Sequence, residues 1–199
     1  MAVDRERIAR AVREILEAIG EDPERPGLKA TPQRVADAYA EFFAGVDDDA
    51  SAPLQKTISV AHGPAPDTLP SGAVMVRDIH FRSVCEHHLL LFRGRAHIAY
   101  LPADKVVGLG ALPKVVDILA ARPQVQERLT EQVADTIAEA LGARGVLVVM
   151  DATHNCVTMR GERQREASTV TIAARGAFAE PPARAELIAL LGVATESTP

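Results

Sequence analysis

The chain has 199 residues, 47% of them hydrophobic and 25% charged, with a formal net charge of −5. That length supports one compact body with an appendage, and the composition excludes a wholly disordered chain. The acidic balance argues against a nucleic-acid partner or a polyanionic membrane surface. No apolar run is long enough to cross a bilayer, and the charged N-terminus lacks the apolar centre of a signal peptide, so a cytoplasmic location is expected.

In chain order, Ile8, Val12, Ile15, Leu16 and Ile19 fall on one helical stripe that Gly20 stops. A second helix opens at Thr31, read as its N-cap, with Pro32 at the first position and an apolar face of Val35, Tyr39, Phe42 and Phe43. These two helices form an N-terminal region, residues 1–46. Residues 47–72, rich in Asp, Ala, Pro and Ser, read as a long connection with one short strand-like run, KTISV. A third region, residues 73–199, carries the rest.

Within it, AVMVRDIHF and LLLFRGRAHIAYL predict strands, with Gly94 as a bend or bulge. Gly108, Gly110 and Pro113 interrupt a short helical stretch. The clearest helix spans 123–141, opening on Pro123, with Val125, Leu129, Val133, Ile137 and Leu141 four apart and Gly142 as its stop. GVLVVMDATHNCVTM and STVTIAARG predict further strands, and 182–192 a last helix. Strand pairs flanking two consecutive helices imply an α+β layer, an antiparallel sheet with helices on one face.

The chemistry concentrates in SVCEHHLLLF and THNCV. Two cysteines, Cys85 and Cys156, are the whole complement, and both stand beside histidines. Cys85 and His88 are three apart, which a single turn brings together, and in an extended strand His154 and Cys156 share a face. Zn²⁺ takes thiolate and imidazole ligands, three for a catalytic site with an open position and four for a closed one. Three are expected: Cys85, His88 and Cys156. His87 and His154 would then lie unliganded beside the metal, placed to move protons near neutral pH. A cysteine nucleophile, or a closed structural zinc with His154 as fourth ligand, stays open as an alternative. His62, His80 and His97 lack such company and read as ordinary surface or core residues.

Gln126 and Glu127 fall in the first turn of the long helix, where the helix dipole favours a carboxylate; side by side they would also suit the donor edge of a guanine-like base. MRGERQR places Arg160, Arg163 and Arg165 after the Cys156 strand. Arg160 suits a phosphate-bearing substrate, because a guanidinium fork matches phosphate oxygens, while Arg163 and Arg165 read as a solvated turn.

CEHHL, RPQVQERLT, H-x-C-V and MRG, in this order and at these separations, closely resemble GTP cyclohydrolase I, and the likeness runs from about Ile8 to Leu191. GEDPERPGLKATPQRVADAY also resembles that family's N-terminal helical region. The resemblance implies a tunnelling fold: an antiparallel four-stranded sheet with two helices between the strand pairs, assembled as a homodecamer of two pentameric rings with sites at subunit interfaces. It implies zinc on Cys85, His88 and Cys156, and hydrolytic attack at C8 of guanine. Formate leaves, the ribose opens and rearranges, and ring closure yields 7,8-dihydroneopterin triphosphate. It further implies proton transfer by His87 and His154, guanine held by Glu127 with Gln126, and triphosphate contacts from Arg34 and Arg160.

One segment departs from the family pattern. After VVGL the family continues with Ser and Lys and then, two residues on, an Arg; this chain has Gly110, Ala111 and Lys114, with Pro113 altering the helix start. Loss of one phosphate cation costs about 1.5–3 kcal/mol. Lys114 keeps a charge without the bidentate geometry. Besides an ordinary GTP cyclohydrolase I, two expectations follow: a specialised relative acting on another guanine nucleotide or stopping at a formamidopyrimidine, and a non-catalytic zinc-binding oligomer. Retention of both His87 and His154 counts against the last.

Overall fold

A computed structural model describes residues 3–59, 72–160 and 164–192. His62 and Arg163 lie outside the described residues.

Helix α1 (Arg5–Ala18) starts where the Asp4 carboxylate accepts the Arg7 N–H at 2.9 Å, and the chain turns away at Gly20, whose φ of +86° suits glycine. Helix α2 (Thr31–Phe42) is capped differently from the expectation. Thr31 is its first helical residue, and Ala30 holds the cap without a side-chain bond. The two helices pack on each other, yet of the α1 stripe only Leu16 is buried, and Ile15 and Ile19 are exposed in the single chain. Ala50 and Leu54, in and beside a 3₁₀ turn at Ala52–Leu54, are buried in the main core. Strand β1 (Thr57–Ser59) then pairs with β4 (Lys105–Val107).

The main sheet contains β2 (Val74–Cys85), β3 (Leu91–Leu101), β6 (Gly145–His154) and β7 (Thr169–Gly176), antiparallel in that spatial order. Two helices, α3 (Ala111–Ala120) and α4 (Gln126–Leu141), fall between β3 and β6 in the chain and cover one face. Alternation decides the faces: Phe92, Ala96, Ile98 and Tyr100 of β3, with Val146, Val148 and Met150 of β6, meet Leu112, Val116, Leu129, Val133 and Ile137 of the helices. On the opposite face Ala99, Leu101 and Leu147 pack against Phe178, Ala183 and Leu187, the last two from α6 (Pro181–Gly192). The molecule is thus a mixed α+β fold.

Three local expectations change. Gly94 makes no bulge: it pairs regularly with Phe81 and Ala152, and it is glycine because a Cβ there would stand 1.9 Å from the Asp151 carbonyl oxygen. The irregularity lies instead between Val76 and Ile79, where Asp78 has a φ of +57°. Gly108, Gly110 and Pro113 do not break α3, because both glycines precede its first residue and Pro113 sits in its first turn. The long helix begins at Gln126, not Pro123. Pro123 and Gln124 form β5, a two-residue ribbon running parallel to Val84 and Cys85, so the sheet gains a fifth strand at the β2 edge.

Candidate metal centre and active site

Strand β2 delivers Cys85 to the start of a tight turn. The Cys85 N–H donates to the Leu90 carbonyl and the Leu89 N–H to the Cys85 carbonyl, each at 2.8 Å, which closes the segment and brings His88 back over Cys85. Closure requires Leu89 at a φ of +52°, a left-handed conformation that costs a branched side chain about 1 kcal/mol. Arg128 of α4 steadies the turn: it pairs with the Glu86 carboxylate, and its Nε donates to Gln124 Oε1 at 3.1 Å. The hydrogen bond from Arg128 holds the Glu86 carboxyl below its ordinary pKa. The Glu86 N–H donates to the Gln124 carbonyl at 3.0 Å, continuing the β5 ribbon.

Cys156 arrives by another route than the strand expectation. Strand β6 ends at His154, and Asn155–Thr158 forms α5, a single helical turn, so Cys156 reaches the site from that turn. The donor atoms of Cys85, His88 and Cys156 lie within 4.8 Å of one another, with Cys85 Sγ and His88 Nδ1 at 3.9 Å. Zinc bonds of about 2.3 Å to sulfur and 2.0–2.1 Å to nitrogen place tetrahedral ligand atoms about 3.5–3.8 Å apart, so a small inward movement satisfies the ion. Burial, then the neighbouring Cys85, pushes the Cys156 thiol up, so metal binding must displace a proton. No fourth protein ligand joins this group among the described residues.

His154, two residues before Cys156, has one ring face and one ring nitrogen engaged. Its ring stacks on Phe92 at 4.6 Å and 6°, and its Nε2 lies 2.7 Å from Gln126 Oε1. Burial lowers its pKa, and the Glu127 charge partly opposes that shift. Glu127 is exposed on the first turn of α4, near enough to His154 to be felt electrostatically. Arg160 is exposed after α5, and its charge acts on the Cys156 thiol in the downward direction. His87 is exposed and meets His88 edge-on at 6.2 Å.

The resemblance sets Gln126 beside Glu127 against the guanine base. Gln126 is only 1% exposed, and its amide bonds to β6, β7 and His154. Arg34 on α2 and Lys114 on α3 are not buried, and the hydrogen bonds around the Cys-His-Cys group do not reach them. Arg128 and Phe92 were missed by sequence reasoning. Arg128 lies inside RPQVQERLT, but its partner Glu86 is 42 positions away; nothing local marks Phe92 as the ring under His154.

Comparison with known proteins identifies the family. The family model described as GTP cyclohydrolase I matches residues 8–192. The chain is 65% identical over 189 residues to GTP cyclohydrolase 1 of Leifsonia xyli subsp. xyli (strain CTCB07), covering 95% of this chain and 96% of that one. It is 54% identical to GTP cyclohydrolase 1 of Rhodopirellula baltica, covering 95% and 80% respectively. For GTP cyclohydrolase 1 of Bacillus subtilis (strain 168) the identity is 48%, covering 94% and 95%. With the match running from the first helix to the last, and the Cys-His-Cys group at its centre, the chain belongs to the GTP cyclohydrolase I family.

Proposed function

We propose that this protein is a zinc-dependent GTP cyclohydrolase I that opens the imidazole ring of GTP, releasing formate and forming 7,8-dihydroneopterin triphosphate. The observation that carries the reading is a two-thiol, one-imidazole donor set with no fourth protein ligand among the described residues, and a histidine outside that set, His154, two positions before Cys156. Zinc bound by Cys85, His88 and Cys156 supplies Lewis acidity and brings the pKa of water at its open position to about 7. Glu127 accepts hydrogen bonds from the guanine base. His154 moves a proton at the reacting end of the base, and His87 serves a further transfer from its exposed place beside His88. Arg160, Arg34 and Lys114 receive the triphosphate, Arg160 being the one whose charge is felt at Cys156.

The order of the four antiparallel strands, with two helices between the middle pair, supports the tunnelling fold. Residues 1–46 form its helical appendage, 47–72 the connection and 73–199 the catalytic domain. The outer edge of β7, with Val170 and Ile172 exposed on it, supports closure of neighbouring chains into a ring, and a cytoplasmic homodecamer is the proposed assembly.

The test is incubation of the zinc-loaded protein with GTP, measuring neopterin fluorescence after oxidation and formate in parallel. Neopterin with stoichiometric formate is expected. Gly110, Ala111 and Lys114 favour a second reading, a relative that acts on another guanine nucleotide or stops at the formamidopyrimidine; formate without neopterin would move the assignment there.

A further inference from the structure

The hydrogen-bond pattern around Gln126 fixes the position of a proton on His154. The Gln126 amide nitrogen lies 3.1 Å from the Met150 carbonyl oxygen, 2.8 Å from the Thr169 carbonyl oxygen and 3.1 Å from Thr171 Oγ1. Carbonyl oxygens only accept, so the NH₂ end must face β6 and β7 and the Oε1 end must face His154. The hydroxyls agree. Thr130 donates to the Gln126 carbonyl at 2.7 Å and therefore accepts from Thr171 at 2.6 Å, which leaves Thr171 Oγ1 free to accept from the Gln126 amide. The circuit closes with every direction determined. Gln126 Oε1 can only accept, so His154 Nε2, 2.7 Å away, must donate.

We infer that Gln126 is a positioning residue: it locks neutral His154 in the Nε2–H tautomer, so that His154 exchanges protons with the reaction through Nδ1, and its side chain does not touch the guanine base. The inference rests on the reading of His154 as a proton carrier. The Phe92 stack fixes the ring plane, and the Gln126 oxygen fixes the rotation within that plane. A ring held in this way presents the same nitrogen at every turnover. The amide itself, 1% exposed and satisfied at both ends, has no group left for a ligand.

The tautomer is read by magic-angle-spinning NMR on full-length, zinc-loaded protein labelled with ¹⁵N-histidine, at a pH well above the ordinary histidine value of about 6.5. His154 is assigned by its absence in His154→Asn. The proton is expected on Nε2 in the wild type and distributed over both nitrogens in Gln126→Leu. In steady-state kinetics with GTP, Gln126→Leu is expected to lower kcat about 10–100-fold with KM unchanged within about threefold. Thr171→Val, which removes an acceptor of the amide away from the substrate, is expected to lower kcat several-fold in the same pattern, and serves where Gln126→Leu fails to fold. A wild-type His154 carrying its proton on Nδ1 would overturn the inference, as would variants that raise KM while kcat holds. Failure of the wild type to turn over GTP would remove the proposed function, while the ¹⁵N spectrum would still decide whether Gln126 sets the tautomer.

Discussion

Replacing Gly94 by alanine tests how closely β3 and β6 approach beneath the site. In a strand interior alanine ordinarily gains about 0.5–1 kcal/mol over glycine. Here the sign reverses. The added Cβ would meet the Asp151 carbonyl oxygen at 1.9 Å, the Ala152 Cα at 2.6 Å and the Ala152 Cβ at 2.7 Å, and two of the three are backbone atoms that no rotamer change can move. The strands must part by about an ångström, an overpacking cost of about 1–3 kcal/mol or somewhat more, leaving a net loss of about 2 kcal/mol. With a urea slope of about 2 kcal/mol/M, the midpoint should fall by about 1 M at fixed protomer and zinc concentrations. The effect should reach the site, because the next core-facing pair along the ladder is Phe92 and His154, whose rings are stacked. A midpoint unchanged or raised in Gly94→Ala would refute the close-approach argument.

Cys156→Ser should reduce bound zinc, measured by atomic absorption after gel filtration, from about one per chain to near zero; unchanged stoichiometry would disprove the ligand assignment. Gly110→Ser with Ala111→Lys should fold normally, since a Cβ at Gly110 meets nothing within 4 Å, and should raise affinity for GTP more than for guanosine. Equal gains for both ligands would dismiss the triphosphate argument. His97 Nδ1 accepts the Asp78 N–H at 3.2 Å, and burial lowers its pKa, so the unfolded chain binds the proton more readily. Stability from this group is therefore complete above about 6.5 and is lost as pH falls below it. His97→Asn should flatten that part of a urea-midpoint profile between about pH 7.5 and 5.5, and a profile of unchanged slope would show that other groups carry it.

What was legible in the sequence was what short-range patterns encode. Leu129, Val133, Ile137 and Leu141 recur every four residues, and all four are buried on α4. The start of that helix was not legible, because Pro123 and Gln124 are drawn into the sheet by β2, about 40 residues earlier in the chain, and no local signal records that partner. Period-two reasoning likewise carried Cys156 along a strand that stops at His154. The Cys-His-Cys grouping survived this error because a one-turn helix also returns the side chain to the site. Gln126 shows a deeper limit: its place in a motif marked it, but whether it faces ligand or protein depends on Met150, Thr169 and Thr171. Amphipathic α1 was legible as a helix, while the exposure of Ile15 and Ile19 was not, because a helical stripe records periodicity and not which of its residues the rest of the fold covers.

The β5 ribbon makes the site a matter of counting. Gln124 pairs with Cys85, its carbonyl receives the Glu86 N–H, and two positions later Gln126 grips His154, so the Cys85 turn and His154 share one short ruler. An inserted residue between Arg122 and Val125 would slip the ribbon's register against Val84 and Cys85 by about 3.3 Å and turn its side chains to the opposite face, breaking the link from Cys85 through Gln124 to Gln126 and Arg128. The number of residues from Arg122 to Val125 is therefore as constrained as the side chains of Arg122, which bonds to the Gly45 and Asp48 carbonyls, and of buried Gln124, which bonds to Leu119, Gln132 and Arg128.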